Sequence, residues 1–92
     1  MTASLDHTVI IAREVVFREL DGEAVILNLE SGMYFGLDPI GTRIWQLCQE
    51  HASIRSVWEA MQAEFDESPE TLQSDLLAFI NELSTRGLVT LQ

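Results

Sequence analysis

Asp21-Gly22 stands between two runs of residues that favour extended backbone, and no other feature of the sequence constrains the fold more strongly. Residues 14–20 before the pair and residues 24–30 after it are rich in branched apolar side chains. An Asp-Gly pair between two such runs is the strongest local signal for a two-residue β-hairpin turn. The sequence therefore predicts an antiparallel hairpin over residues 14–30.

A third strand is predicted directly after this hairpin. Glu30-Ser31-Gly32 has the composition of a second turn, and a short apolar run follows it at residues 33–37. Two turns that join three successive strands predict an antiparallel meander. The middle strand carries three apolar residues on one face, Val25, Leu27 and Leu29.

The second half of the chain has the start and stop signals of helices. Asp38-Pro39 and Ser68-Pro69 each place a good N-cap residue before a proline at the first helical position, and Ser53 is a further N-cap. Gly87 is a C-terminal stop signal. Apolar residues recur at steps of three and four between these signals. The predicted helices cover residues 39–50, 54–65 and 69–86.

The predicted fold class is therefore α+β and winged-helix-like, with a three-stranded antiparallel sheet followed by three helices. A chain of 92 residues makes one domain. We assign the domain to residues 14–92 and treat residues 1–13 as an N-terminal segment, and the sequence leaves open whether it is partly disordered. Residues 9–12 either extend the first strand or lie loose.

The charge of the chain is one-sided. It has 15 acidic residues, five arginines, no lysine and a formal net charge of −10. A surface of this sign repels phosphate backbones, so we predict no nucleic-acid partner. The acidic residues form either a solvated surface or a face that steers a basic partner toward the protein.

Several features bear on the cellular location. The single cysteine, Cys48, excludes an internal disulfide and fits a reducing compartment. The first eight residues lack the basic start and apolar run of a signal peptide, and no apolar run is long enough for a membrane span. We therefore expect a soluble, cytoplasmic protein with no membrane partner.

The sequence lacks a pattern for catalysis or metal binding. Cys48 falls on the apolar side of a predicted helix, and no nearby histidine is indicated to activate it, so we favour a buried, inert thiol. His7 and His51 are not at metal-ligand spacing with each other or with Cys48. We predict no catalytic residue, no metal site and no cofactor.

The run at residues 33–37 is an edge strand if the meander order holds. It is apolar and has no lysine or proline to prevent pairing. A second extended chain could therefore add beside it through main-chain hydrogen bonds. The alternative is that the long third helix covers this edge, and the residues alone leave the two open.

A series of short motifs follows the predicted elements in order. They are Asp21-Gly22, Ala24 to Leu29, Ser31-Gly32-Met33-Tyr34-Phe35-Gly36-Leu37, Gly41-Thr42-Arg43-Ile44-Trp45, and Leu83-Ser84-Thr85-Arg86-Gly87-Leu88-Val89. In this order and spacing the chain from residue 15 to residue 89 resembles the PqqD family, also called the precursor-peptide recognition element.

This resemblance implies both a fold and a task. Family members have a winged-helix-like domain and bind the leader segment of a ribosomally synthesised precursor peptide. The leader adds as a strand beside the third strand and lies against the third helix. The domain does no chemistry and presents the precursor to a radical S-adenosylmethionine enzyme, a leader peptidase or a cyclase. The product stays open between pyrroloquinoline quinone, a lasso peptide and another modified peptide.

The resemblance also places a peptide-binding site on this chain. The docking strand is formed by Met33, Tyr34, Phe35, Gly36 and Leu37. Strand alternation puts Met33, Phe35 and Leu37 on one side and Tyr34 on the other, unless a bulge at Gly36 changes the phase.

The third helix supplies the opposite wall of this expected site. Asp75 and Phe79 lie four residues apart on one helix face and are the groove candidates. Leu76 is a further peptide-binding candidate, although it also belongs to a stripe with Leu72 and Ile80 that favours the core. The carboxylate of Asp75 predicts a preference for a basic leader.

Two other function classes compete with this one. Helices 54–65 and 69–86 have the arrangement of a helix-turn-helix, which makes a transcriptional regulator the alternative. A recognition helix contacts DNA with basic and polar side chains, whereas helix 69–86 has a net charge of −2. A small enzyme or redox protein is disfavoured because no nucleophile and base are paired in the sequence.

Overall fold

The structure, a computed structural model, describes residues 2–21 and 23–92. The strands Val15–Leu20, Glu23–Asn28 and Tyr34–Leu37 form an antiparallel sheet in that order, and three helices follow. The predicted α+β fold is therefore confirmed. The elements in chain order are β1 (Val9–Ile11), β2 (Val15–Leu20), β3 (Glu23–Asn28), β4 (Tyr34–Leu37), α1 (Pro39–Glu50), α2 (Ile54–Glu64), α3 (Pro69–Thr85) and β5 (Val89–Leu91).

The β2–β3 hairpin is the one that the Asp-Gly pair predicts. Leu20 lies opposite Glu23 in the register, so two residues separate the strands. Asp21 has a φ of 54°, the left-handed conformation that a type I′ hairpin turn requires. Gly22, the other member of the predicted pair, lies outside the described residues.

Asn28 fixes the second turn. Its side-chain oxygen accepts the backbone N–H of Glu30 at 2.9 Å and that of Ser31 at 3.1 Å. Gly32 then takes a φ of 76°, which costs a glycine little because it has no Cβ. The turn predicted at residues 30–32 is confirmed, and Asn28 is the buried polar residue that holds it.

The helix boundaries follow the predicted caps. α3 ends at Thr85, and Gly87 stops it as predicted: this glycine has a φ of 73°, and the N–H of Leu88 donates to the carbonyl oxygen of Leu83 at 3.0 Å. α2 and α3 each end one residue before the predicted limit. The N-cap side chains accept backbone N–H groups as predicted: Asp38 from Gly41 at 2.7 Å, Ser53 from Ser56 at 3.3 Å and Ser68 from Thr71 at 3.1 Å.

The core lies between the helices and one face of the three-stranded sheet. On β3 this face carries Ala24 and Ile26, which are buried. Val25 and Leu29 are exposed, so the face that groups the apolar residues Val25, Leu27 and Leu29 is the outer one. Trp45 of α1 is 1% exposed and also lies in this core.

α3 buries one stripe of its surface in this core. The buried residues of α3 are Leu72, Leu76, Ile80 and Leu83. Leu76 is 0% exposed, so its inclusion among the peptide-binding candidates is wrong. The spacing of four residues from Leu72 to Leu76 and from Leu76 to Ile80 keeps it in the middle of the buried stripe, away from any partner at the surface.

The two ends of the chain pair with each other. β1 is antiparallel to β5, with Val9 opposite Leu91 and Ile11 opposite Val89. The prediction that residues 9–12 extend the first strand or lie loose is therefore wrong. Ala3 is buried as well, and its N–H donates to the side-chain oxygen of Asn81 at 2.8 Å. A domain boundary at residue 14 stays a prediction, although the segment before it packs against α3 and β5.

Candidate functional site

β4 lies at an edge of the three-stranded sheet. It pairs with β3 on one side, and none of the described residues pairs with its other side. The register continues without interruption from Leu27 opposite Tyr34 to Ala24 opposite Leu37, so Gly36 forms no bulge. The predicted edge strand is present, and it begins at Tyr34 rather than at Met33.

Two hydrogen bonds across β3 establish which of its residues bond to which neighbour. Asn28 donates its N–H to the carbonyl oxygen of Met33 at 2.9 Å, on the β4 side. Leu29 donates its N–H to the carbonyl oxygen of Glu14 at 2.8 Å, on the β2 side. Bonded and non-bonded pairs alternate along an antiparallel ladder. Even-numbered residues of β3 therefore bond to β4, and odd-numbered ones bond to β2.

This alternation identifies the free backbone groups of β4. Phe35 and Leu37 lie opposite even-numbered residues of β3, so their N–H and C=O groups point toward β3. Tyr34 and Gly36 lie opposite odd-numbered residues, so their N–H and C=O groups point away from the sheet. An added strand would find its main-chain partners at Tyr34 and Gly36.

An open groove of about 380 Å³ lies between β4 and α3, so α3 stands opposite the edge and does not cover it. Both apolar and acidic side chains line this groove, which we call the β4–α3 groove. Its lining comprises Phe35, Gly36 and Leu37 of β4, Asp38, Ile40, Gly41 and Ile44 around the start of α1, and Asp75 and Phe79 of α3.

The structure brings most of the sequence-predicted site residues together. Asp75 and Phe79 face the same groove as the last three residues of β4, as their spacing on the helix predicts. The side chains of Met33 and Tyr34 are exposed and do not line the groove. Of these two residues, Tyr34 alone directs backbone groups toward an added strand. Contact of all these residues with a peptide stays a prediction.

The start of α1 is the part of the groove that sequence reasoning missed. Ile40 is 58% exposed although it is a large apolar residue, and it extends the apolar lining. Gly41 allows close packing there, since a Cβ atom on it would lie 3.2 Å from an Asp38 carboxylate oxygen and 3.5 Å from the Phe79 ring. An apolar residue and a glycine within one turn of the Asp-Pro cap are the signal that could have indicated this wall.

A cation lies at the other end of the groove. The guanidinium carbon of Arg86 is 4.9 Å from the centroid of the Phe35 ring, within the range of a cation–π interaction. The guanidinium also forms an ion pair with Glu82 at 3.0 Å. The C-terminal end of α3 is thereby held against the start of β4.

A second pocket, of about 310 Å³, continues the groove beyond the C-terminal end of β4. Ile40, Ile44 and Asp75 line both cavities. The remaining lining of this pocket, which we call the α2–α3 pocket, is Met61, Phe65, Asp66, Glu67 and Leu72. A chain that leaves the groove past Leu37 would therefore enter an apolar pocket with an acidic rim.

The described residues offer little reactive chemistry. Cys48 is buried in the core, and this burial raises the pKa of its thiol to about 12. The thiol is therefore protonated at neutral pH, in agreement with its predicted inert role. Across residues 2–21 and 23–92 no three side chains of His, Cys, Asp or Glu are grouped to hold a metal ion. No helix in the same residues has the length and apolar content to cross a membrane.

Comparison with known proteins identifies the family. The family model described as coenzyme PQQ synthesis protein D (PqqD) matches residues 23–89. The chain belongs to the PqqD family. The matched residues run from the start of β3 to the start of β5, so they include every residue that lines the β4–α3 groove.

Two solved structures resemble this PqqD-family chain. One is TbiB1 in complex with the TbiA(beta) leader peptide, which is 36% identical with a TM-score of 0.81 over 87% of this chain and 93% of that one. The other is lasso peptide synthetase B1 complexed with the leader peptide, with a TM-score of 0.80 over 90% of this chain and 98% of that one. At 20% identity the second likeness concerns the fold alone. No curated protein sequence is similar enough to this chain to count as a match.

Proposed function

We propose that the protein binds the leader segment of a ribosomally synthesised precursor peptide by strand addition at β4. The observation that carries this proposal is the free edge of β4, where Tyr34 and Gly36 direct backbone groups toward an open groove. Main-chain hydrogen bonds along such an edge provide affinity, and the pockets beside it provide side-chain specificity. Membership of the PqqD family and the 36% identity to a leader-bound structure support the same role.

The groove has the composition of a peptide site. Phe79 and Ile40 provide apolar surface for side chains of the leader that point inward, while Asp75 provides a polar contact. Successive residues of a strand point to opposite faces, so only alternate leader residues would enter the groove. Recognition would thus depend on a few leader side chains, with the backbone contacts common to many sequences.

We further propose that the protein acts as a presenting subunit in the cytoplasm and that a separate enzyme modifies the precursor. The lack of an activated nucleophile at Cys48 supports a binding role. A radical S-adenosylmethionine enzyme, a leader peptidase and a cyclase are the candidate partners. A transcriptional role is less well supported. α3 exposes Glu70, Asp75 and Glu82, and the one basic residue beside them is its C-cap, Arg86, so the helix repels DNA.

Calorimetric titration tests this function. We expect a short precursor gene beside this one, and the probe is a synthetic peptide with the leader sequence of that precursor. The control is a peptide of the same composition in scrambled order. We expect saturable 1:1 binding of the leader and weaker binding of the scrambled peptide. Equal heats for both peptides, or no saturation with either, would contradict the proposal. Tryptophan emission is an insensitive readout, since neither Trp45 nor Trp58 lines the groove.

A further inference from the structure

The two ends of the β4–α3 groove differ in charge. Asp75 and Phe79 of α3 and its C-cap residue, Arg86, are spaced by four and seven residues, so they lie along one face of the helix. With a rise of about 1.5 Å per residue, Asp75 and Arg86 are roughly 16 Å apart, which corresponds to about five residues of strand. Arg86 lies at the start of β4, beside Phe35, and Asp75 lies toward its end.

The end of the groove near Leu37 is strongly acidic. Every charged residue that lines the groove or the adjoining α2–α3 pocket is a carboxylate: Asp38, Asp66, Glu67 and Asp75. One oxygen of Asp38 is already engaged, because it accepts the N–H of Gly41 at 2.7 Å. Asp75 makes no ion pair or side-chain hydrogen bond with another described residue, and it borders both cavities. Its carboxylate is therefore available to a ligand.

The Arg86 end is close to neutral by comparison. Its guanidinium is paired with Glu82 at 3.0 Å and is also placed over the Phe35 ring. The charge that a bound chain meets is thus concentrated at the Asp75 end. A complementary partner carries its positive charge there, since unpaired like charges in a groove oppose binding.

The direction in which the peptide pairs with β4 determines which of its residues lies at the acidic end of the groove. β4 belongs to an antiparallel sheet, and antiparallel pairing is slightly more stable per residue than parallel pairing. In an antiparallel addition, the N-terminal end of the peptide lies beside the C-terminal end of β4. The residues that precede the paired segment then pass Leu37 and reach Asp75, Asp66 and Glu67.

We infer that the groove selects leaders with a lysine or arginine immediately N-terminal to the segment that pairs with β4, and that Asp75 is the specificity-determining residue. This inference rests on the proposed function and adds the charge and the direction of the leader. Asp66 and Glu67 reinforce the same selection at the rim of the α2–α3 pocket, so the effect of Asp75 alone is moderate.

The test is a charge swap measured by calorimetry on the full chain. We expect Asp75→Asn to lower the affinity for the leader by about three-fold, because an exposed ion pair contributes little. Asp75→Lys should lower it by about ten-fold, because it also adds repulsion. Leader variants replace each basic residue before or after the paired segment with glutamate, one at a time. One of the variants changed before the segment should bind the wild-type protein weakly and regain affinity for the Asp75→Lys protein. The matched control, Glu59→Gln, changes an exposed acid of α2 outside both cavities and should leave the affinity unchanged.

The outcomes separate this inference from the function on which it rests. If the unmodified leader does not bind the wild-type protein, the proposed function itself fails. If leaders bind but Asp75→Asn and Asp75→Lys leave every affinity unchanged, the function stands and the charge selection is wrong. If the glutamate variant that regains affinity lies after the paired segment, the direction is wrong. If the Asp75→Lys protein binds both the unmodified leader and every glutamate variant more weakly than the wild-type protein does, Asp75 does not select the charge of the leader. Its role would then be to stabilise the fold of the groove.

Discussion

The guanidinium of Arg86 lies over the ring of Phe35, with 4.9 Å between the guanidinium carbon and the ring centroid. This contact joins the C-terminal end of α3 to the first inward-facing side chain of β4. The groove between the two elements therefore has a defined width at one end, and Asp75 and Phe79 lie at fixed positions along it.

Loss of this contact should loosen the groove and lower stability slightly. Arg86→Ala removes the cation–π interaction and the ion pair with Glu82, and we expect the free energy of unfolding to fall by about 1 kcal/mol. Leader affinity should fall as well. Arg55→Ala is the control, because it removes another exposed ion pair, with Asp6, away from the groove. Urea unfolding of both variants checks this, and equal losses would contradict a special role for Arg86.

Truncation of two residues of α3, Leu76 and Phe79, should affect different properties: the first mainly the stability, the second mainly the leader affinity. Leu76 is fully buried, so Leu76→Ala should lower the free energy of unfolding by about 2–5 kcal/mol. Phe79 is half-buried and faces the groove, so Phe79→Ala should cost about 1 kcal/mol of stability but weaken leader binding by about ten-fold or more. Denaturation and calorimetry on each variant measure both quantities. A folded Phe79→Ala variant with unchanged affinity would remove Phe79 from the site.

Gly36 allows a test of main-chain pairing with little change in packing. Gly36→Pro removes an N–H that points away from β3, and an edge strand tolerates proline at such a position. We expect a folded variant whose leader affinity is lower by about ten-fold or more. Gly36→Ala keeps the N–H, and its Cβ would meet no heavy atom within 4 Å, so it should bind like wild type. Equal affinities for the two variants would exclude a hydrogen bond from Gly36.

The buried thiol of Cys48 should make stability depend on alkaline pH. Burial raises its pKa from 9.0 to about 12, so between these values the folded chain keeps a proton that the unfolded chain releases. Stability from this group is complete below pH 9 and decreases as the pH rises toward 12. Urea midpoints of wild type and Cys48→Ala at pH 8 and pH 10.5 check this. The alanine variant should lose less stability over that interval, and an identical loss would contradict the thiol's contribution.

The sequence predicted those parts of the fold that short-range chemistry determines. Asp38, Ser53 and Ser68 were identified as N-caps because a cap bonds to a backbone group only three residues away. The pairing of β1 with β5 was missed because it joins opposite ends of the chain through strands of three residues, which leave no local signal. Both faces of β3 are apolar, so only the packing of the helices determines that Ile26 is buried and Val25 is not.

The candidate site divides in the same way. The helical spacing of Asp75 and Phe79 was enough to place them on one face, and their position opposite β4 was implied by the family resemblance. The contribution of Ile40 and the contact of Arg86 with Phe35 depend on how α1 and α3 pack around the edge strand. Such contacts between distant segments follow from tertiary packing, which periodicity does not describe.

Strand addition at β4 is tested most directly by amide hydrogen exchange, measured by NMR with and without the leader. The amides of Tyr34 and Gly36 face away from β3 and should exchange rapidly in the free protein, whereas those of Phe35 and Leu37 are bonded to β3 and should exchange slowly. Saturating leader should slow the exchange of Tyr34 and Gly36 by about ten-fold or more and change Phe35 and Leu37 less. Saturable leader binding with unchanged exchange at Tyr34 and Gly36 would contradict strand addition at this edge.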